Sequence, residues 1–341
     1  MKPETETTTP KTAGAILVSV PFGDEGDWRT GAEGVSHSHA KADRFTAALC
    51  REIAGRGAEL RGREFATVSF SVGASLVSLD QLYRVIQTLY DSVSVVPQEQ
   101  TIAVAAGAVD EAKAKVLRES GFDRADLRLG SRRSEAADFR VLREAGFASV
   151  GCELQYAGAG DAWSQTLDAA FGLEPDHLAL SMPPSGNVPG VAAGLLQSFG
   201  LAREKLSRDF HNYVLHCWCR PGHESRHVAA VFANQPLAGF GPGAVTRLGM
   251  EEAANPVRMA DYLSKIEKGR PALSVARSAA ESRLKNDLAR LAGVPAASVN
   301  QAEAEALVGR GLLSSRDGGL YLTDPGVIAI DSICRELTAA G

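Results

Sequence analysis

The chain has 341 residues, 45% of them hydrophobic, and 36 basic against 41 acidic side chains give a formal net charge of −5. That supplies enough apolar material for one large α/β domain with at most a small appendage. It excludes nucleic-acid binding driven by phosphate neutralisation, and no run of about 18 apolar residues is present to span a membrane.

Residues 1–13 are polar and rich in Thr, Glu and Lys, so they are expected to be disordered. They lack the apolar core of a signal peptide, and the expected location is the cytoplasm. Residues 15–20 read as a buried strand, 40–53 as a helix and 66–70 as a second strand. Ser78 and Gln81 make a capping-box pattern at the start of a helix. Leu79, Leu82, Tyr83, Ile86, Leu89, Tyr90 and Val93 continue it at helical spacing.

Residues 101–105 read as a strand and 110–120 as a helix that stops at Gly121. Leu127 marks a strand, 135–145 a helix stopping at Gly146, and 148–154 and 177–180 further strands. The basic cluster Arg128, Arg132 and Arg133 is followed by Glu135 and Asp138, and is read as a solvated face. The run Leu117-Arg-Glu-Ser-Gly-Phe122 recurs as Leu142-Arg-Glu-Ala-Gly-Phe147, 25 residues later. Each copy is a helix end, a glycine stop and an entry into a strand. A β/α unit at that period predicts a parallel β/α barrel.

After residue 183 the pattern changes. Residues 182–190 form a Pro/Gly-rich loop and 191–213 a helix. Residues 213–218 and 228–232 read as strands flanking a turn at Pro221-Gly222, and 256–268 as a helix. A small helical module follows, over 274–341. The predicted division is therefore a barrel over 14–183, an extension packed on it over 184–273, and that terminal module.

The five cysteines, Cys50, Cys152, Cys217, Cys219 and Cys334, are scattered and odd in number, which does not suggest a disulfide framework. Cys217-x-Cys219 followed by His223 and His227 is the best metal-like grouping, since zinc accepts such ligands. A Cys-x-Cys pair on a strand is not the usual chelating loop, and buried structural thiols are the preferred reading.

The segment Ile16 to Thr30 resembles the first strand and loop of the oxygen-independent coproporphyrinogen III oxidase and heme-chaperone family of radical S-adenosylmethionine (SAM) proteins. That family follows an apolar strand and Pro-Phe with Cys-x3-Cys-x2-Cys. Here Pro21-Phe22 is followed by Gly23, Asp27 and Thr30 at the three thiolate positions. The resemblance continues in Arg220-Pro-Gly-His-Glu-Ser-Arg-His227 and Gly239-Phe-Gly-Pro-Gly-Ala244. It extends to Tyr262, Ile266, Gly269 and Pro271, and to the closing segments 320–326 and 331–333. It implies an open, partial (β/α)6 barrel of the radical SAM type.

The departures fall where the family's cofactors would sit. A 4Fe–4S cluster is held by cysteine thiolates, and Gly, Asp and Thr are not substitutes. The family's Gly-Gly-Gly-Thr-Pro, which lets the backbone approach SAM, is Ser71-Val-Gly-Ala-Ser75. Its Glu-Ala-Asn-Pro is Ala103-Val-Ala-Ala106, and its Gly-Leu-Pro-Gly-Gln is Ala157-Gly-Ala-Gly-Asp161. Cluster and SAM are therefore both expected to be absent, and no catalytic residue is assigned. The expected role is that of a non-catalytic partner or scaffold in a biosynthetic pathway, paired with a protein such as an active radical SAM paralogue. One alternative is a heme or other tetrapyrrole carrier, with His223, His227, Gly239, Gly241 and Gly243 as the ligand site. Another is an enzyme of a different class in the emptied barrel mouth, where Asp24, Glu25, Asp27, His37 and His39 are the polar groups.

Overall fold

The structure, a computed structural model, describes residues 13–23, 30–130, 135–156, 161–182, 191–274 and 276–339. Six strands alternate with six helices in the first 206 residues: β1 (Gly14–Val18), α1 (His39–Arg56), β2 (Phe65–Phe70), α2 (Leu79–Ser92), β3 (Val95–Ala105), α3 (Glu111–Glu119), β4 (Arg124–Arg128), α4 (Glu135–Glu144), β5 (Ser149–Gln155), α5 (Asp161–Gly172), β6 (His177–Ser181) and α6 (Val191–Leu206). These strands are parallel neighbours in chain order, as βαβ crossovers demand.

The helix boundaries follow local chemistry. Ser38 caps α1 by accepting from the Lys41 amide. At α2 the Ser78 hydroxyl accepts from Gln81 N while the Gln81 side chain accepts from Ser78 N, so both halves of the capping box form. Asp110 caps α3 by accepting from the Lys113 amide at 2.8 Å. The apolar side chains of these helices meet the outward faces of the strands in one core, where Ile16, Phe45, Leu49, Phe70 and Phe122 are fully enclosed.

Next come β7 (His211–Val214), β8 (Cys217–Cys219), α7 (Arg226–Phe232), β9 (Leu237–Phe240), β10 (Val245–Arg247), β11 (Glu251–Ala254), α8 (Met259–Glu267) and β12 (Arg277–Ser278). They add to both edges of the same sheet, whose order is β12-β11-β10-β9-β1-β2-β3-β4-β5-β6-β8-β7. Among the described residues no ladder joins β7 to β12, so the barrel is open.

Three expectations are corrected here. Residues 228–232 form most of helix α7 and no strand, because Ser225 caps them from before, accepting from Val228 N. The strand expected over 213–218 is a hairpin of two short strands, with His216 in its turn at φ +65°. The helix expected over 191–213 ends at Leu206, leaving His211 and Tyr213 on β7.

The terminal module holds α9 (Ala280–Ala289), β13 (Val294–Pro295), α10 (Gln301–Gly309), β14 (Leu313–Arg316), β15 (Gly319–Leu322), α11 (Asp324–Ile328) and α12 (Ile330–Thr338). It is helical as expected but also carries a three-stranded sheet, β13-β15-β14. The β14–β15 turn is Asp317-Gly318, both at positive φ, the conformation a two-residue hairpin requires. No helix among the described residues is long and apolar enough to cross a membrane.

His216 makes the fold acid-sensitive. Its Nδ1 lies 3.1 Å from the Tyr156 hydroxyl, and its ring packs edge-on against Tyr156 and Phe199. Burial, aided by Lys285, lowers its pKa to about 4. The unfolded chain takes up that proton near the ordinary value of about 6.5, so the stabilisation present above 6.5 is lost as pH falls toward 4. Between pH 6.5 and 5, above the carboxylate range, the loss should be about 2 kcal/mol. Urea midpoints should show it, and His216→Asn, which tolerates positive φ, should flatten the dependence.

Candidate functional site

The lumen of the barrel follows from a period of two along β4. Arg124, Asp126 and Arg128 alternate with Ala125 and Leu127, and successive side chains on a strand face opposite ways. Ala125 and Leu127 enter the core under the helices. The three charged residues face inward and are buried. Arg128, read from sequence as part of a solvated face, instead pairs with Glu153 of β5 at 3.2 Å, its register partner inside the barrel. Arg132 and Arg133 lie outside the described residues.

A buried acid on β3 organises the lower lumen. The Glu99 carboxylate accepts from the Ser225 hydroxyl at 2.7 Å, from Arg226 N at 2.8 Å and from His227 N at 3.0 Å. It thereby caps α7 across more than 120 residues of chain. Burial opposes its ionisation, but Arg124 and these donors outweigh that and hold the carboxyl below its usual range. Sequence reasoning missed Glu99 because it stands alone on its strand.

Asp126 and His177 approach one another across an intervening strand. They lie on β4 and β6, which two strand spacings would set about 9.5 Å apart. Yet Asp126 Oδ1 is 3.8 Å from His177 Nδ1. Gly151 of β5 sits between them in register and makes this possible. A Cβ there would collide with the Asp126 carboxylate and the His177 backbone. His177 Nε2 is in turn 2.8 Å from the Tyr213 hydroxyl, which accepts from Ser225 N at 3.3 Å. Burial pushes the Tyr213 phenol above its ordinary value, so it stays protonated.

Above this network lies a cavity of about 370 Å³, lined by Ser69, Thr101, Asp126, Glu153, His177 and His227 among others. Val228, Val231 and Phe232 of α7 complete its wall. The volume suits a small ligand, at the low end of the usual range of about 300–1,000 Å³. The lining is mostly apolar, with Leu17, Leu180 and Leu237 of the strands joining the α7 side chains, and the polar groups come from both the strands and the start of α7.

The residues singled out from sequence fall in several places. Gly23 has no side chain, and its amide donates to Val35 O at 3.1 Å. Thr30 hydrogen-bonds Ser19 Oγ at 3.1 Å and reaches the cavity wall. Asp24, Glu25 and Asp27 lie outside the described residues. His37 packs edge-on against Phe22, and His39 pairs with Asp43 at 3.2 Å on an exposed face.

The other candidates also separate. His227 Nδ1 is 3.1 Å from Thr67 Oγ1, whereas His223 faces Asp176 at 3.9 Å. Cys217 reaches the cavity, while Cys219 lies beside His211, 3.6 Å from its Nε2. The four residues of the Cys-x-Cys-x3-His-x3-His grouping therefore do not converge. Gly239, Gly241 and Gly243 each lie where a Cβ would strike backbone, of Val245, Ser19 and Thr30 respectively.

No protein-family model matches the chain, and no curated sequence matches it significantly. Among solved structures, the coproporphyrinogen III oxidase HemN of Escherichia coli, a radical SAM enzyme, superposes with a TM-score of 0.76 at 18% identity, over 98% of this chain and 92% of that one. HydG, a maturase of FeFe-hydrogenase, overlaps at a TM-score of only 0.30 and 14% identity, over 56% of this chain and 50% of that one. The chain thus has the fold of the coproporphyrinogen oxidase, and at this identity the likeness is one of fold.

Replacing Glu99 tests the organising role assigned to it. Glu99→Gln keeps the shape but removes the charge facing Arg124 and the helix amides. It should cost about 3 kcal/mol at pH 7 by urea denaturation. Because the Glu99 pKa is depressed, the stability it adds is present above the ordinary value near 4.5 and lost as pH falls below it. The difference between parent and variant should therefore shrink toward pH 3.

Proposed function

We propose that this protein keeps the coproporphyrinogen-oxidase fold without its radical chemistry, and acts as a non-catalytic binding partner in a biosynthetic pathway. In this reading its lumen receives a small polar ligand. The observation that carries the reading is the packing of residues 71–75, the counterpart of the family's glycine run. Val72–Ser75 form a buried 3-10 turn. The one remaining glycine, Gly73, lies against the backbone of Val20 and Phe22, where a Cβ would collide with both. The Ser75 hydroxyl donates to Val72 O and accepts from Ala105 N. Backbone that approaches SAM in the family is here engaged by the protein itself.

The donor set also fits a cluster poorly. Gly23 offers no ligand atom and Thr30 a neutral hydroxyl, where thiolates are needed. Among the described residues no three cysteines converge. These residues do not fit a 4Fe–4S cluster.

The lumen supports a ligand with hydrogen-bond donors. Asp126 and Glu153 present carboxylates to the cavity, with hydroxyls from Ser69 and Thr101 and imidazoles from His177 and His227. A tetrapyrrole draws less support, since the cavity is small and the three glycines proposed to cradle it pack on backbone.

The test is anaerobic reconstitution with iron and sulfide, followed by titrations with SAM and hemin. The reading expects a colourless protein and no thermal shift with SAM. About four iron and four sulfide per chain, with SAM cleavage on reduction, would overturn it. A Soret shift with hemin that His227→Ala abolishes would favour the carrier instead. Ser69→Phe, which fills the lumen, should remove the thermal shift given by any polar metabolite bound there.

A further inference from the structure

The bottom of the barrel carries a second cluster that the lumen does not use. His211 opens β7 and Cys219 closes β8, and the two are register partners in this antiparallel pair. Directly opposed residues in such a pair share a face, so imidazole and thiol are side by side. The loop after β8 turns at Pro221-Gly222 and brings Glu224 back over them. Glu224 Oε1 lies 2.8 Å from His211 Nε2, and Cys219 Sγ lies 3.6 Å from the same nitrogen. All three ligand atoms fall within 4.8 Å of one another. No other such group of His, Cys, Asp and Glu occurs among the described residues.

We propose that His211, Cys219 and Glu224 bind a zinc ion with one coordination position open to solvent. The chemistry of the three donors matches zinc, which takes one imidazole, one thiolate and one carboxylate readily. With the ion at 2+, the thiolate and carboxylate leave the site neutral. One separation already matches a loaded site, whereas Cys219 Sγ also lies 4.0 Å from His211 Nδ1, so the imidazole has to turn to aim Nε2 at the ion. Zn–N of about 2.05 Å and Zn–S of about 2.3 Å at the tetrahedral angle place the two atoms about 3.6 Å apart, which is the separation found. The His–Glu edge is shorter, at hydrogen-bond distance, and opens by about half an ångström when a metal enters.

The shared nitrogen is the second argument. His211 Nε2 is approached by both a carboxylate oxygen and a sulfur. A single proton on that nitrogen serves only one of them, whereas a cation between the three serves all. Access is present too: Cys219 is buried, while the side chains of His211 and Glu224 are about two-fifths exposed. Three protein ligands and a wet fourth position are the pattern of an open zinc site.

The site has a structural consequence. It ties the start of β7, the end of β8 and the 220–225 loop, and Ser225 at the end of that loop caps α7. Zinc there fixes the lead-in to the helix that walls the lumen.

The experiment uses the full chain, stripped with chelator and titrated with Zn²⁺ and, separately, with Co²⁺. One zinc per chain is expected, together with a thiolate-to-cobalt charge-transfer band and the visible bands of tetrahedral cobalt. His211→Gln and Glu224→Gln should each weaken zinc by more than about 100-fold, beyond the roughly 10–100-fold of outer-shell changes. Cys219→Ala should abolish the charge-transfer band, whereas Cys217→Ala should leave it in place. Far-ultraviolet circular dichroism establishes that each variant is folded. Absence of the band in the parent protein, or zinc affinity unchanged in His211→Gln, would overturn the assignment and leave only a surface ion pair.

Discussion

The Glu99 carboxylate receives the Ser225 hydroxyl and the amides of Arg226 and His227 inside the barrel, and the form of the lumen depends on this contact. A helix of seven residues is too short to persist alone in water. Its first turn also leaves amide donors that are costly to bury unpaired. Glu99 satisfies them with a full charge, and Arg124 compensates that charge in turn. Once held, α7 places Val228, Val231 and Phe232 against the ends of the strands and converts an open sheet into a walled cavity.

The same contact belongs to a closed polar circuit. Ser225 donates to Glu99 through its hydroxyl and to Tyr213 through its amide. Tyr213 meets His177, His177 faces Asp126, and Asp126 lies 3.6 Å from Arg124, which returns to Glu99. Four strands and one helix are linked in this way. Buried polar groups are tolerable when each has partners and costly when one is missing. The circuit sets the buried charges of Glu99, Arg124 and Asp126 against one another, through ion contacts at 3.6 and 3.8 Å as well as through hydrogen bonds. It explains why Gly151 is needed: a side chain there would separate Asp126 from His177 and open the ring.

Much of the barrel was legible because its signals are local. Caps at Ser78 and Asp110, and the glycine stops at Gly121 and Gly146, sit within a few residues of what they control. The segment 228–232 was not legible as a helix. A short apolar run has no period of its own, and the group that settles its state, Glu99, lies far away in the chain. Arg128 was misread for a related reason. A charged residue near other arginines suggests solvent, but the alternation Arg124, Asp126, Arg128 against Ala125 and Leu127 held the answer. In a barrel wrapped by helices the apolar face of a strand points outward to them, so the charged face points into the lumen. His211 and Glu224 carried no signal beside Cys219, since an antiparallel register and a turn bring them there.

Much of the most specific sequence likeness, Arg220 to His227, serves the fold. Arg220 lies over the Phe210 ring and donates to Pro175 O. Gly222 takes a positive φ in the turn. The His223 carbonyl accepts from Arg124, Ser225 caps α7, and His227 meets Thr67 of β2. Gly241 and Gly243 beyond it admit the backbone of Ser19 and Thr30 at distances that no side chain permits. Closing the barrel floor needs this geometry whatever happens at the mouth. Likeness in that motif is evidence about how the barrel closes, and the chemistry has to be argued from the lumen and its rim.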